Sequence, residues 1–86
     1  MGELVQLPNI GKQVEEQLNQ VDINTIEDLQ KLGSREAWLR IQAIDPSACC
    51  NRLCALEGAL QGIRWHDLEP ATKAELKTFY QTHKLS

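Results

Sequence analysis

Leu7-Pro8-Asn9-Ile10-Gly11-Lys12, with the amphipathic run after it and then Ile23-Asn24-Thr25-Ile26-Glu27-Asp28-Leu29, decides the fold of this chain. The stretch reads as two helices around a tight hairpin. Pro8 fixes φ on the way into the turn, Asn9 tolerates a left-handed backbone, and Gly11 allows close approach to whatever lies opposite. The helix that follows Gly11 points unpaired N–H groups outward. Such a helix start is a natural seat for an anion, and in this setting the anion is usually a nucleic-acid phosphate.

Working outward, punctuation and period give the remaining elements. The first helix runs from about Gly11 to Gln20, with Val14 and Leu18 on one face and Ile10 one turn earlier. The second starts at Asn24 or Thr25, where Asn24 with Glu27 and Thr25 with Asp28 are alternative capping boxes; it buries Ile26, Leu29 and Leu32 and ends at Gly33. Ser34 caps a third helix to about Ala43 that carries Trp38 and Ile41 inward. Asp45 caps a fourth, with Pro46 in its first turn. Cys49, Leu53, Leu56, Leu60 and Ile63 form the longest apolar stripe, so the fourth helix is expected to be central. Gly58 and Gly62 on another face of it are expected to admit a neighbouring helix or the Trp65 segment. A fifth helix runs from Pro70 or Thr72 to His83 with Leu76, Phe79 and Tyr80 inward. The expectation is an all-α compact bundle of about five helices.

Composition supports this class. A chain of 86 residues with 42% hydrophobic content holds one modest core. Aromatic and β-branched residues are sparse, while Leu, Ala, Gln, Glu and Lys are plentiful. No apolar run approaches the roughly 20 residues that cross a bilayer, and Met1-Gly2-Glu3 lacks the basic and apolar regions of a signal peptide. Met1-Gly2 begins like a myristoylation site, but Gln6 stands where Ser or Thr is required. The expected location is cytoplasmic, without membrane contact. Cys49, Cys50 and Cys54 are an odd set within one helix, read as small buried residues in a reducing compartment. Cys50 and Cys54 would supply only two ligands to a metal, so neither a metal nor a cofactor is expected.

The hairpin resembles the helix-hairpin-helix motif, which often carries Gly-x-Gly where this chain has Asn9-Ile10-Gly11. The second half narrows the family. Cys54-Ala55-Leu56-Glu57-Gly58-Ala59-Leu60-Gln61-Gly62, then Trp65, Leu68 and Pro70, taken with Leu7 to Gly11 and the Ile23 to Leu32 segment, closely resembles the C-terminal domain of the TfoX (Sxy) family. Asn9 is in keeping with that family. The resemblance covers about residues 5–82 and implies a single domain over 1–86, lacking the N-terminal α/β domain of larger TfoX-type regulators. It also implies non-enzymatic, bacterial regulation of natural competence and DNA transformation, by assisting a transcription factor at promoters.

Charge qualifies the DNA-binding side of that expectation. Residues 1–46 hold four basic against eight acidic side chains, net −4, and residues 47–86 hold five against four, net +1. Neither half has the basic footprint of an independent DNA binder. Lys12 is the natural phosphate contact, with Glu16 one turn away expected to pair with it. Asn9, Ile10, Gly11 and Lys12 are therefore the candidate contact for a phosphate or a partner. The partner classes are DNA held weakly by its backbone, a transcription regulator or other protein, and a second copy of the chain. Glu57 is expected to pair with Arg64 or a backbone N–H instead of acting as a base, and Trp65 to plug the core over Gly62 with His66 exposed.

Overall fold

Each helix begins or ends where the sequence offers a substitute for a backbone hydrogen bond, and the computed structural model, which describes residues 3–84, shows which offers are taken. The described residues form four α-helices: α1 (Lys12–Gln20), α2 (Ile26–Ile44), α3 (Cys50–Gln61) and α4 (Pro70–His83). Short 3-10 turns stand at Leu4–Gln6 and Trp65–Asp67. No strand occurs among the described residues, and no helix is long and apolar enough to cross a membrane. The expected all-α bundle is therefore the fold observed.

α1 ends with Asp22 at φ 67°, the Ile23 N–H reaching back to the Leu18 carbonyl at 2.8 Å and the Asp22 N–H to Asn19 at 3.2 Å. That left-handed cap turns Ile23 into the core, where it is fully buried. Of the two capping boxes the chain uses Thr25, whose hydroxyl accepts the Asp28 N–H at 3.0 Å, while Asp28 reaches back to the Asn24 N–H. The Ile26 N–H is taken by Glu3 Oε1 at 2.8 Å, which ties the start of the described chain to α2. Gly33, at φ 82° and ψ 166°, breaks the helical path where the boundary was expected, so α2 consists of two helical segments that meet at a kink. Ser34 is buried; its hydroxyl donates to Glu57 Oε1 at 2.6 Å, so the expected capping role gives way to a bridge onto α3.

α3 starts at Cys50, later than the expected Asp45 cap. Asp45 is instead a hub. Its carboxylate accepts from Ser47 N–H and hydroxyl, from Arg52 Nη1 at 3.0 Å and from Gln17 Nε2 at 2.9 Å. Asp45–Ala48 closes as a turn and Cys49 becomes the helix cap. The shift puts the Cys49 side chain outside, so the expected stripe begins at Leu53. Leu53 and Leu56 are fully buried, and Leu60 and Ile63 pack partly buried against them. α3 touches α2, α4 and the Trp65–Asp67 turn, which makes it the central helix. Trp38 is wholly buried between these layers. Its Nε1–H donates to the Cys49 carbonyl at 3.2 Å, and Phe79 and Tyr80 of α4 meet its ring edge-on at 6.0 and 5.6 Å.

The donors around Asp45, Ser47 first and then Arg52 and Gln17, hold its carboxyl well below the ordinary Asp value of 3.8. A depressed folded-state value means the stabilisation is present above the unfolded value and is lost as pH falls toward the folded one. In urea titrations the parent should exceed Asp45→Asn in stability at pH 7, with the difference closing as pH drops below about 4; a pH-independent difference would remove Asp45 as an acid-sensitive clasp.

Candidate functional site

The hairpin takes its shape from Pro8 and Asn9. The Ile10 N–H closes on the Leu7 carbonyl at 3.4 Å, with Pro8 second and Asn9 third at φ 70°, the residue order of a type II turn. The turn then fixes itself to α3. Asn9 Nδ2 donates to the Ile63 carbonyl at 2.9 Å and to the Ala55 carbonyl at 3.4 Å, and its Oδ1 accepts the Trp65 N–H at 3.2 Å. Gly58 makes room for this: a Cβ there would lie 2.6 Å from Asn9 Nδ2, 2.9 Å from the Ile63 oxygen and 3.1 Å from Trp65 Cα.

Close approach is thus confirmed at Gly58 and not at Gly62. Gly62 faces open space and is required for its φ of 75°, which lets the Ile63 N–H return to Gly58 at 2.9 Å and ends α3. Trp65 accordingly stands over Gly58, partly buried, with its ring stacked on exposed His66 at 4.0 Å.

Of the four candidate contact residues, the structure spends two on the fold. The Asn9 side chain is fully engaged and Ile10 is buried in the core. Gly11 and Lys12 are exposed at the start of α1, where no side chain caps the helix. The expected Lys12–Glu16 ion pair does not form: among the described residues the pairs are Lys31–Glu27, Arg35–Glu75, Arg40–Glu36 and Arg52–Asp45. Among the described residues upstream of the hairpin stands the three-residue turn Leu4–Gln6, and the two full helices of this stretch are joined by residues 21–25. A groove of about 610 Å³ runs beside the helix start, lined by the apolar Val5 and Ile10 and by the polar Lys12, Glu15, Glu16 and Asn19.

The other candidates resolve structurally. Glu57 accepts from Ser34 and, through Oε2, from Gln61 at 2.7 Å, so Arg64 is not its partner. Cys54 is buried, Cys50 half-buried and Cys49 exposed, so the expectation of three buried thiols holds only for Cys54. Burial, with Cys50 alongside, pushes the Cys54 thiol up to about 11 and keeps it protonated. Among the described residues no group of three or more His, Cys, Asp or Glu side chains is placed to hold a metal.

A short hairpin locked to a central helix, presenting the open start of a second helix, defines a small all-α domain whose exposed features are surfaces. The chain belongs to the TfoX C-terminal domain family, whose model matches residues 1–80. It is similar to an uncharacterised protein from Listeria monocytogenes solved in a triclinic form, at 53% identity and a TM-score of 0.91, with 92% of this chain and 90% of that one covered. It is similar also to a protein of unknown function from Listeria monocytogenes in a tetragonal form, at 52% identity and a TM-score of 0.89, covering 91% and 96%. No curated protein matches the chain.

Asn9→Gly keeps the left-handed backbone but strands the Ile63 carbonyl and the Trp65 N–H, and should cost about 2 kcal/mol. Gly58→Ala should cost about 1–3 kcal/mol by overpacking. Because both act on one contact, Gly58→Ala should cost less in the Asn9→Gly background; additive losses in chemical denaturation would show that the two sites are not coupled.

Proposed function

We propose that this chain is a non-enzymatic regulator of the TfoX type, linked to natural competence and DNA transformation in bacteria, which works at promoters within a transcription assembly. The observation that carries this reading is the family match over nearly the whole chain. The geometry limits what the hairpin contributes to it. Gly11 and Lys12 offer a few backbone donors and one unpaired charge, enough for a single phosphate. Even binding that uses several phosphates reaches only about 10⁻⁴ to 10⁻⁶ M at physiological salt, so the domain acts in company with a transcription regulator that supplies most of the DNA affinity.

A second reading is favoured by the groove beside α1 and by the net −4 of residues 1–46: a protein-interaction adaptor that meets a basic partner and touches no DNA. Fluorescence anisotropy of the purified chain against labelled duplex and single-stranded DNA, across a salt series, separates the two. Under the regulatory reading binding is weak and falls with salt, and Lys12→Glu reduces it while the thermal melt stays unchanged. Absence of binding at low salt would leave the adaptor. Unchanged affinity in Lys12→Glu would take the hairpin out of the contact.

A further inference from the structure

Positive charge in this protein is not spread evenly between paired and unpaired sites. Four of the nine Lys and Arg side chains make ion pairs among the described residues, and of the remaining five, Lys12, Arg64, Lys73, Lys77 and Lys84, four fall within residues 64–84. Three of these continue one line. At 3.6 residues per turn, Lys73, Lys77 and Lys84 lie within an arc of about 40° on α4 and at its end, with Tyr80 beside them, over a length of about 16 Å. Within Pro70–His83 the one acidic residue, Glu75, points to the other side, where Arg35 holds it at 3.7 Å, and the N-cap Glu69 stands one turn before Lys73 without forming an ion pair with it.

None of the three lysines is neutralised. Lys73 Nζ donates to the His66 carbonyl at 2.8 Å and Lys84 Nζ sits 6.0 Å over the Tyr80 ring, contacts that orient the cations and leave their charge in place. Lys77 is exposed and has Lys73 one turn before it, a like-charge spacing that opposes the helix. No carboxylate among the described residues pairs with Lys73, Lys77 or Lys84, so the charge of the row is available to an external anion. The exposed large hydrophobic residues, Val5 and Ile44, lie outside α4, so the stripe lacks the apolar border of a membrane-surface helix.

We infer that the α4 stripe of Lys73, Lys77 and Lys84 is the surface on which this protein meets the phosphate backbone of duplex DNA. The stripe is matched to a row of phosphates by sign and by length, about five base pairs at 3.4 Å each. Tyr80, braced edge-on against buried Trp38, gives the row a rigid base. Lys12, in the acidic half of the chain, then adds at most one peripheral phosphate to this contact. This rests on the regulatory reading only in taking DNA as the partner.

The test is anisotropy of the full chain with a labelled 20-base-pair duplex between 20 and 150 mM salt. Three engaged phosphates give a slope of log affinity against log salt of about −2.7, and each Lys→Gln change in the stripe should lower its magnitude by about 0.9. The triple change should abolish binding, while Lys77→Arg should keep it. Thermal melts check folding, and where the triple variant does not fold, Lys77→Gln against Lys77→Arg carries the test. DNA binding that survives the stripe changes but is lost in Lys12→Glu would overturn the stripe and leave the regulatory reading standing. No binding at 20 mM salt would overturn both DNA contacts. Displacement of the duplex by polyglutamate at equal charge would overturn the assignment in favour of an acidic protein partner.

Discussion

The carboxamide of Asn9 is the constraint on which the placement of the hairpin depends. One side chain satisfies two carbonyls and one N–H on the far side of α3, and it does so from a backbone conformation that few residues other than Gly, Asn and Asp accept. The acceptors are themselves products of the way α3 ends. Gly62 turns left-handed, the Ile63 N–H swings back to Gly58, and the Ile63 carbonyl is thereby aimed at the hairpin. Gly58 then has to lack a side chain, because the space a Cβ would take is filled by the Asn9 amide and the Trp65 backbone. Glu3 holds the other end of the segment at the start of α2. Three distant parts of the sequence are thus joined by hydrogen bonds whose geometry leaves little choice of residue.

Electrostatics divides the same molecule differently. The N-terminal half carries the excess of acid, and its cations Lys31, Arg35 and Arg40 are each set beside a carboxylate. Most of these pairs are well exposed, so they contribute little to stability; their effect is to leave no concentrated positive field on that side. Arg52 is the exception in burial, drawn into the Asp45 hub that joins α1, α2 and α3. Apart from Lys12, the unpaired cations are left toward the C-terminal end, where the anion density is lower. The half with the most suggestive loop therefore has the least favourable field for a polyanion, and the half with the plainest helix has the better one.

Most of the fold was legible because it rests on local signals. Thr25, Gly33 and Pro70 mark their boundaries by chemistry that acts within a few residues, and the Leu53 and Leu56 register follows from helical period. The errors share one physical origin. Asp45 looked like a helix cap because an Asp before Pro is locally suited to be one, but Ser47 two residues on, with Arg52 and the distant Gln17, captured its carboxylate. Ser34 and Glu57 were each given local roles and turned out to be partners across 23 residues. The Cys49 exposure follows from the same displaced helix start. Polar side-chain contacts leave no periodic trace in a single sequence, and they decided each of these positions.

The candidate site shows the same limit from the other side. Asn9, Ile10, Gly11 and Lys12 were read as one functional unit because they are adjacent and because the turn suits an anion. In the folded chain Asn9 and Ile10 face inward to α3 and the core, and Gly11 and Lys12 face outward. A tight turn makes this division unavoidable: consecutive residues in it point in opposing directions, so the residues that build the turn are seldom those that use it. The Leu7 to Lys12 signature is accordingly a requirement of the domain's architecture before it is a requirement of binding. Asn9 and Gly58 hold the latch whatever surface the domain presents to its partner.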